Sequence, residues 1–465
     1  MMSSTTGETK VVSLYQSQKK IYAKSVTGRF ANLRWLMVFV TQAIFYGLAW
    51  LPWNGRQAVL FDLGARKFYI FDWIFWPQDV LYLTFILIVS AYSLFFVTAI
   101  AGRIFCGYAC PQTVYTEIFM WVEKKFEGDR AARMKLDQAP MSFEKAWRKG
   151  GKHLAWVLIG LWTGFTFVGY FTPIKTLAHE VLTATTGPWE TFWILFYGFA
   201  TWGNAGFMRE QVCKYMCPYA RFQSVMFDRD TMIVTYDKER GEPRGGRKRS
   251  ADTRALNLGS CVDCSLCVQV CPTGIDIRDG QQMECIGCGL CIDACNETMD
   301  KVGRPRGLIR YASLNSIERG TKFRFTPRMA LYLAVLGALG ALLAVLVFTR
   351  TDVESILLRA PGSLFQQLPD GRIENLYTLK VVNKTAREIP IELKLENAPG
   401  EIRVMGAGPL VAPKENLAQT SVLIILDRRT VPESSRKLVI GVYSKGKRLE
   451  TVKTVFVGPR KPIAP

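Results

Sequence analysis

The sequence predicts a polytopic α-helical membrane protein with five spans, a cytoplasmic insert of the two-cluster ferredoxin type, and a C-terminal antiparallel β-sandwich. Three observations support this fold class: five long apolar runs, two copies of a cysteine motif between the fourth and fifth runs, and short alternating strands after the fifth. The net charge of +20 is spread over many segments. No single basic patch is formed, so nucleic acid is not an expected partner.

The predicted spans are apolar runs that match the roughly 17 to 25 residues a helix needs to cross the hydrocarbon layer. They cover residues 35–53, 80–101, 154–173, 189–208 and 329–349. Asn204 and three glycines weaken the fourth run, although aromatic residues at its ends suit a membrane interface. Buried core helices are the alternative, but five such runs in one chain favour a membrane protein.

Lysine and arginine residues near the ends of the runs predict the orientation. Residues 1–34 carry six of them and the loop 102–153 carries ten, whereas the loops 54–79 and 174–188 carry three and one. Because basic loops stay in the cytoplasm, the N-terminus is predicted to be cytoplasmic and the segment after the fifth run to lie outside. No cleavable signal peptide is expected, since the first 34 residues are polar and basic.

These patterns divide the chain into five predicted domains. They are a cytoplasmic tail (1–34), a four-span membrane domain (35–208), a cytoplasmic cysteine-rich domain (209–328), a fifth transmembrane helix (329–349) and an outer domain (350–465). The cysteine-rich domain includes a basic, glycine-rich stretch at 237–254 that is expected to be a mobile linker.

The outer domain is predicted from short runs with alternating or β-branched residues, separated by turn-rich stretches. The runs are 376–383, 389–397, 420–427, 436–444 and 450–458. Cysteine is absent from this part of the sequence, and no catalytic constellation is evident. We therefore interpret the outer domain as a docking or stabilising module.

The strongest chemical signal is a repeated Cys-x2-Cys-x2-Cys-x3-Cys motif, "CVDCSLCVQVCP" at 261–272 and "CIGCGLCIDACN" at 285–296. Three cysteines of each copy wrap one 4Fe-4S cluster, and the fourth cysteine of each copy binds the other cluster. Cluster site A is thus predicted to be Cys261, Cys264, Cys267 and Cys295. Cluster site B is predicted to be Cys271, Cys285, Cys288 and Cys291. Structural zinc is the alternative, but zinc sites favour cysteine pairs separated by longer gaps. Asn296 replaces the proline expected after the second copy, which alters one turn without removing a ligand.

A second repeat joins "CGYACP" at 106–111 to "CKYMCP" at 213–218, and each copy follows an apolar run. This indicates a duplicated unit of two spans plus a motif, in parallel repeats. Four thiols, of Cys106, Cys110, Cys213 and Cys217, are expected to meet at the inner membrane surface; we call these four cysteines the paired motif. The spacing i, i+4 predicts two thiols on one helical face, with the following proline starting a new helix.

The paired motif is less specific than the ferredoxin motif. Its soft thiolates could hold Cu(I), a third iron–sulfur cluster or zinc, or they could simply be buried packing residues. Since all twelve cysteines lie between 106 and 295, on the predicted cytoplasmic side, metal or redox chemistry is favoured over disulfides. Tyr108 and Tyr215 could donate hydrogen bonds to thiolates, relay electrons or only pack.

Histidine is scarce, because the chain has only His153, at a predicted cytoplasmic end, and His179, in a predicted external loop. A transmembrane b-type haem needs axial histidines inside the bundle, so haem is not expected.

The combination of paired "CGYACP" and "CKYMCP" motifs, a two-cluster insert, a fifth span and a C-terminal sandwich resembles the CcoG (FixG, RdxA) family of cytochrome c oxidase accessory proteins. The resemblance implies a bacterial inner-membrane location, an immunoglobulin-like domain in the periplasm, and a role in assembling cbb3-type oxidase by reducing Cu(II) to Cu(I). It also implies oxidase subunits or copper-delivery proteins as partners, together with a cytoplasmic electron donor and membrane lipid. The paired motif would then be the catalytic copper site.

Two other functions fit the residues. One is an electron-transfer subunit between a quinone pool and a partner enzyme, with no copper involved. The other is a non-enzymatic assembly scaffold that docks the oxidase through its outer sandwich.

Overall fold

The computed structural model describes residues 20–247 and 257–459, apart from positions 363, 386, 407, 432 and 433. The basic residues Lys10 and Lys19 and the linker positions 248–254 lie outside the described residues. The chain forms two compact units. Unit 1 comprises Met1–Thr41, Leu94–Leu161 and Gly198–Ala330, and unit 2 comprises Gln42–Ser93, Trp162–Tyr197 and Leu331–Pro465.

Helices account for most of the residues outside the C-terminal region. The α-helices are Arg29–Trp50, Val80–Ala101, Ile104–Tyr108, Pro111–Glu127, Arg130–Gln138, Phe143–Val168, Ile174–Leu182, Pro188–Gly203, Pro218–Met226, Lys238–Gly241, Leu266–Gln269, Leu290–Lys301, Leu314–Arg319 and Pro327–Phe348. Two π-helical turns, Asn204–Met208 and Val212–Met216, follow the eighth of these helices. Single 3-10 turns cover Pro77–Asp79, Ile277–Asp279 and Arg428–Thr430.

Among the residues that the structure describes, three helices are long and apolar enough to cross a membrane: Arg29–Trp50, Pro77–Ala101 and Pro327–Phe348. They coincide with the first, second and fifth predicted spans. Their outward side chains are exposed apolar groups, such as Phe39 and Leu331, which an aqueous surface would not favour. The sequence prediction of a membrane protein is therefore supported at these three helices.

The third and fourth predicted spans have a different form. The helix at the third run is Phe143–Val168, so it starts in the basic segment before the run and ends before Pro173. The helix at the fourth run, Pro188–Gly203, is shorter, because the π-helical turn Asn204–Met208 takes over from it. That these two helices cross the membrane stays a prediction.

Unit 1 contains the cysteine-rich segment, packed around a small antiparallel sheet. Strand Ile233–Tyr236 pairs with strand Ile309–Ala312. Val234, Met299 and Leu308 are buried in the core between this sheet and the two motif loops. The sheet thereby joins the two ends of the segment and holds both motif copies on one core.

Part of the predicted linker is ordered. Residues Lys238–Gly241 form a helical turn, and the side chain of Asp237 caps it by accepting a hydrogen bond from the Arg240 N–H. Gly259 packs directly on this turn, since a Cβ there would lie 2.4 Å from the Gly241 carbonyl oxygen. The expectation of a mobile linker is therefore wrong for 238–241, because local capping and packing stabilise the turn.

Asn296 occupies the position where the first motif copy has Pro272. Helix Leu290–Lys301 continues through Asn296, whereas helix Leu266–Gln269 ends before Pro272. The Asn296 side-chain oxygen accepts a hydrogen bond of 2.9 Å from the Gly307 N–H. A proline would interrupt this helix. The departure from the motif thus lengthens one helix and leaves all ligands in place.

The C-terminal part of unit 2 is built from two antiparallel sheets, as predicted. One sheet has the strand order Gly400–Val404, Leu417–Leu426, Ile373–Asn383, Val353–Arg359, with Gln366–Gln367 beside the third of these. The other has the order Glu392–Leu395, Ser435–Ser444, Lys447–Val457, and a short pair joins Ile389–Pro390 to Val411–Ala412. Tyr377, Ile424, Leu438 and Phe456 are fully buried in the shared core. Strands 353–359 and 400–404 were not predicted.

The predicted external loops are also structured. Residues 54–79 contain an antiparallel sheet of strands Val59–Asp62, Lys67–Ile70 and Trp73–Phe75, after a hairpin of Pro52–Trp53 with Arg56–Gln57. His179 lies on the helix Ile174–Leu182, so its placement in a loop was wrong. The apolar residues Ile174 and Leu177, spaced three apart, are buried and hold this helix in place.

A buried ion pair joins two segments of unit 2. Asp79, which precedes the second span, is 6% exposed, and its carboxylate lies 2.8 Å from Lys384 Nζ in the sandwich and 2.8 Å from Arg350. Lys384 also lies 3.0 Å from Glu354. The two cations compensate the buried charge of Asp79. Without Asp79, burying the charge of Lys384 or Arg350 would be costly.

Candidate metal centre

The four cysteines of cluster site B converge. Cys271, Cys285, Cys288 and Cys291 line one small cavity, together with Cys267 of site A and mainly apolar residues. Gly287 and Gly289 have φ values of 65° and 75°, so the chain turns sharply on each side of Cys288. These left-handed residues are what allow a short loop to present its thiols inward.

Cluster site A uses the same loop conformation. Asp263 and Ser265, at the motif positions of Gly287 and Gly289, have φ values of 52° and 54°. Cys295 lies near the other three cysteines of the site. Burial raises the pKa of Cys295, and the charges of these three cysteines raise it further. The sequence-predicted exchange of the fourth ligand is thus compatible with the arrangement of both sites.

The glycines of site B have a packing reason that site A lacks. A Cβ at Gly289 would lie 2.8 Å from the ring of Phe30, and one at Gly287 would lie 3.3 Å from the backbone of Arg103. The side chain of Asp263 is 44% exposed at the equivalent position of site A. Site B is therefore the one packed against the helical elements of unit 1.

The described cysteines do not form a ready-made site for a single metal ion. Within the part of the chain that the structure describes, no three His, Cys, Asp or Glu side chains are placed to hold one metal ion. A zinc ion needs four ligands at about 2.0 to 2.3 Å from one centre. In a 4Fe-4S cluster each thiolate binds a different iron, so the thiols stand further apart. The residues present therefore fit the cluster that the cysteine motif predicts.

Burial makes these thiols poor acids without iron. It raises the pKa of Cys267 to about 11 and the pKa values of Cys285 and Cys295 to about 12. Metal binding requires the thiolate form, so iron must displace the protons. Cluster loading at these sites therefore releases protons.

The paired motif does not lie on single helices, so that prediction was wrong. Cys106 lies in the short helix Ile104–Tyr108, which ends before Cys110. Cys110 precedes the helix Pro111–Glu127, whose backbone starts in a new direction. Cys213 lies in the π-helical turn Val212–Met216, and Cys217 is the residue before Pro218. The two prolines do start new helices, as predicted.

The four thiols of the paired motif are nevertheless neighbours. Burial raises the pKa of Cys106 to about 12, and the nearby Cys110 and Cys213 contribute to that rise. Cys217 acts in the same direction on the pKa of Cys110. All four side chains are half-buried. The expected meeting of the two motif copies is therefore seen, although not as a single-ion site.

The first motif copy packs directly on the loop of site B. A Cβ at Gly107 would lie 2.9 Å from the Ile286 carbonyl oxygen and 3.0 Å from the Cys288 Cα. Tyr108 is buried, and its hydroxyl donates a hydrogen bond of 2.9 Å to the Cys288 carbonyl oxygen. Tyr108 thus binds a backbone carbonyl and not a thiolate. Cys106 packs on the same apolar cluster as Cys288.

The second motif copy meets the site B segment through a longer side-chain contact. Lys214 stands at the position of Gly107 and pairs loosely with Glu284, at 3.7 Å. Tyr215, the counterpart of Tyr108, is 66% exposed. The difference between glycine and lysine in the two copies therefore reflects which copy contacts the cluster loop.

Two buried residues near the thiols were not predicted from the sequence. Gln223 is fully buried, and its Oε1 lies 3.3 Å from Cys106 Sγ. Its Nε2 lies 3.4 Å from Thr98, which also hydrogen-bonds Tyr219 at 2.6 Å. Only the position of Gln223 in the aromatic segment after the second motif could have drawn attention to it.

Arg103 is the second missed residue, and it lies between the motif copies and site B. It is 4% exposed and donates hydrogen bonds to the backbone carbonyls of Met283 and Ala220. Its charge acts to lower the pKa values of Cys106 and Cys285. Near site A, by contrast, the cation is Arg278, which is bonded to Asp263 and Asp276.

Replacing Arg103 with glutamine is therefore expected to lower the midpoint potential of the site B cluster by about 50 to 100 mV. A unit charge at ~8 Å is worth about 2 kcal/mol at an effective dielectric constant of ~20, which favours the more negative, reduced cluster. The measurement is an EPR-monitored redox titration of both clusters. Arg278→Gln is the matched control, with a smaller expected effect because its charge is already neutralised. Equal shifts in the two variants would contradict the assignment.

Comparison with known families agrees with this arrangement. A 4Fe-4S binding domain model matches residues 83–128, which include Cys106 and Cys110. A 4Fe-4S dicluster domain model matches residues 208–314, which include all eight cysteines of sites A and B. A model of the immunoglobulin-like fold at the C-terminus of FixG matches residues 343–459.

Full-length relatives give the same result. The nitrogen fixation protein FixG of Rhizobium meliloti strain 1021 is 39% identical over 431 residues, which cover 84% of this chain and 82% of FixG. Protein RdxB of Cereibacter sphaeroides is 40% identical over 409 residues, covering 84% of this chain and 85% of RdxB. Protein RdxA of the same organism is 39% identical over 403 residues. This chain therefore belongs to the FixG family of iron–sulfur proteins.

Proposed function

We propose that this protein is a membrane-bound electron-transfer protein that reduces Cu(II) to Cu(I) at the paired motif and thereby supports assembly of a cbb3-type oxidase. The observation that carries the proposal is the direct packing of Gly107 and Tyr108 on the Cys288 loop. This contact brings a cluster ligand and a set of soft thiols together. An electron that reaches site B then has a short protein path to the paired motif.

The proposed topology has five spans, with the N-terminus in the cytoplasm and the immunoglobulin-like domain in the periplasm of a bacterial inner membrane. The helices Phe143–Val168 and Pro188–Gly203 supply the two spans beyond the three most apolar helices. The basic loop 102–153 and the weakly charged loops on the opposite side support this orientation.

The chemistry divides between cofactor and chain. When bound, each 4Fe-4S cluster can accept and donate one electron. The chain's own thiols receive Cu(II) as substrate and favour the cuprous product, because Cu(I) prefers soft sulfur ligands. Since the four thiols do not form a ready-made single-ion site, we treat copper as a passing substrate that a copper-delivery protein or oxidase subunit collects. Two clusters are proposed, and a third at the paired motif is the alternative occupant.

The test uses anaerobically purified, dithionite-reduced protein with excess reductant removed. Cu(II) is added, and Cu(I) is followed with a chromogenic chelator. The informative variant is Cys213→Ser with Cys217→Ser, because neither cysteine is a predicted ligand of cluster site A or B. The matched control is Lys214→Ser, because Lys214 lies between these two cysteines in the sequence. Fast reduction in the wild type and control, lost in the double variant, is the expected result.

Four outcomes would overturn parts of the proposal. Equal rates in the double variant would remove the paired motif as the copper site. Negligible Cu(I) from any form would favour an electron carrier without copper. About four fewer irons per chain in the double variant would identify the paired motif as a third cluster site. In cells, retained oxidase assembly after cluster loss would favour the scaffold function.

A further inference from the structure

A cavity of about 400 Å³ in unit 1 lies beside the paired motif and has no role in the proposed copper chemistry. Its walls include His153, Trp156, Phe207 and Arg209. It is located where the helix Phe143–Val168 passes from its basic segment into its apolar run. Its volume falls in the range of roughly 300 to 1,000 Å³ that is typical of small-molecule sites.

The backbone around the cavity is irregular. Gly206 and Phe207 reach the cavity from the π-helical turn Asn204–Met208, and such turns are frequent at functional sites. Arg209, directly after the turn, has a φ of 40°, which is costly for a residue with a Cβ. The surrounding contacts therefore hold a strained segment at the cavity wall.

The cations around the cavity already have carboxylate partners. Lys152 lies 2.7 Å from Glu127, and Arg209 lies 3.0 Å from the fully buried Glu123. Lys149 is paired with Asp137. Because these charges are balanced within the protein, the cavity favours a neutral ligand over a free anion.

Aromatic rings supply a further part of the wall, beside Glu210, whose pKa is raised by burial. The His153 ring is stacked on Phe207, with centroids 5.6 Å apart and planes at 15°, and it meets Trp156 edge-on at 5.1 Å. Among the described residues, His153 Nδ1 is buried and has no hydrogen-bond partner. Phe207, which lines the cavity, is 56% exposed, so an apolar ring borders its opening. A flat, neutral ring with an apolar tail and a hydrogen-bonding oxygen fits these features.

The cavity is connected to both copies of the paired motif. Gln112, two residues after Cys110, donates hydrogen bonds of 2.9 and 3.1 Å to the carbonyl oxygens of Asn204 and Arg209, at the two ends of the π-helical turn. Gln211, on the cavity wall, is two residues before Cys213. An electron released in the cavity would therefore start close to the thiols.

We propose that this cavity binds the head group of a membrane quinol and oxidises it. One quinol loses two electrons and two protons and becomes a quinone. The two oxidised clusters, at sites A and B, take up one electron each. His153 accepts one proton, and the other leaves to water at the cytoplasmic face. The quinol would then take the place of the cytoplasmic electron donor expected from the resemblance, and the inference does not depend on copper being the final acceptor.

The state of His153 agrees with this role. Burial lowers the pKa of His153, with nearby Lys152 acting in the same direction, so the imidazole is neutral near pH 7 and can accept a proton.

The test is reduction of the oxidised clusters by decylubiquinol, and separately by a short-chain menaquinol, in anaerobic stopped-flow experiments on purified holoprotein. His153→Leu and Phe207→Ala are expected to slow cluster bleaching at least about tenfold. Two matched controls should react like the wild type. They are His179→Leu, on a helix of unit 2, and Phe199→Ala, on the helix Pro188–Gly203 that precedes the π-helical turn. Iron content and reduction by dithionite should be unchanged in all four.

Wild-type rates in both cavity variants, or failure of either quinol to reduce the wild type, would overturn the inference. If a variant fails to fold, a photoreactive azidoquinone on the wild-type protein gives an independent readout. Adducts are expected in the segments 143–168 and 198–211, and adducts confined to other segments would refute the site. Cu(II) reduction by dithionite-reduced variants should stay at the wild-type rate, which separates this inference from the proposed copper function.

Discussion

Replacing Cys288 and Cys291 together with serine is expected to remove about half of the bound iron and to abolish Cu(II) reduction. Both residues line the site B cavity, and Cys288 is buried at 8% exposure. A serine hydroxyl is a hard, weakly acidic ligand that does not replace a thiolate on iron. Gly107 packs on the loop of site B, so electrons held at site A would lose this path to the paired motif.

The measurements are iron and acid-labile sulfide per chain, the EPR spectrum of the dithionite-reduced protein, and Cu(I) formation. Thr273→Val is the matched control, because the Thr273 hydroxyl lies 3.3 Å from Cys271 Sγ but is not a predicted ligand. The control should keep its iron and most of its activity. Full iron content in the double serine variant would show that site B is wrongly assigned.

Replacing Gly107 with valine is expected to slow electron delivery to copper by about 100-fold while both clusters remain bound. The added Cβ would meet the backbone of Ile286 and Cys288 at 2.9 and 3.0 Å, and backbone atoms cannot rotate away. The motif helix must therefore move off the cluster loop. Overpacking of this kind also lowers the free energy of unfolding by about 1 to 3 kcal/mol.

Gly150→Val is the matched control for this prediction, since a Cβ at Gly150 meets nothing within 4 Å. Cluster content, dithionite reduction and Cu(I) formation are compared in the two variants. Equal rates of Cu(I) formation would show that electrons do not pass through the Gly107 contact. Loss of iron from the Gly107 variant alone would show that the contact supports the cluster itself.

The sequence was sufficient for the parts of this structure that depend on local pattern. Ligand spacing predicted which cysteines share a site, because a short loop around a cluster leaves few arrangements. Alternation predicted five strands of the sandwich, and the prolines after each Cys-x3-Cys predicted the starts of two helices. These features depend on neighbours in the chain and are therefore visible without a fold.

Features that depend on distant neighbours were missed or wrong. Cys110 was placed on the same helical face as Cys106, but the helix ends between them because the chain turns at the cluster loop. Arg103 and Gln223 carry no motif, and only their burial against the thiols makes them notable. The glycine at 107 is informative only when its contact with Cys288 is known, since the equivalent Lys214 obeys the same motif.

The central claim is that electrons stored at sites A and B leave through the paired motif to copper. The most direct measurement is a single-turnover stopped-flow experiment in which fully reduced protein, free of dithionite, meets excess Cu(II) and chelator. The proposed electron path predicts about two Cu(I) per chain, formed at the same rate as the clusters reoxidise, with both processes slowed in the Cys213 and Cys217 serine variant. Cluster reoxidation without Cu(I), or Cu(I) formation while the clusters stay reduced, would contradict it.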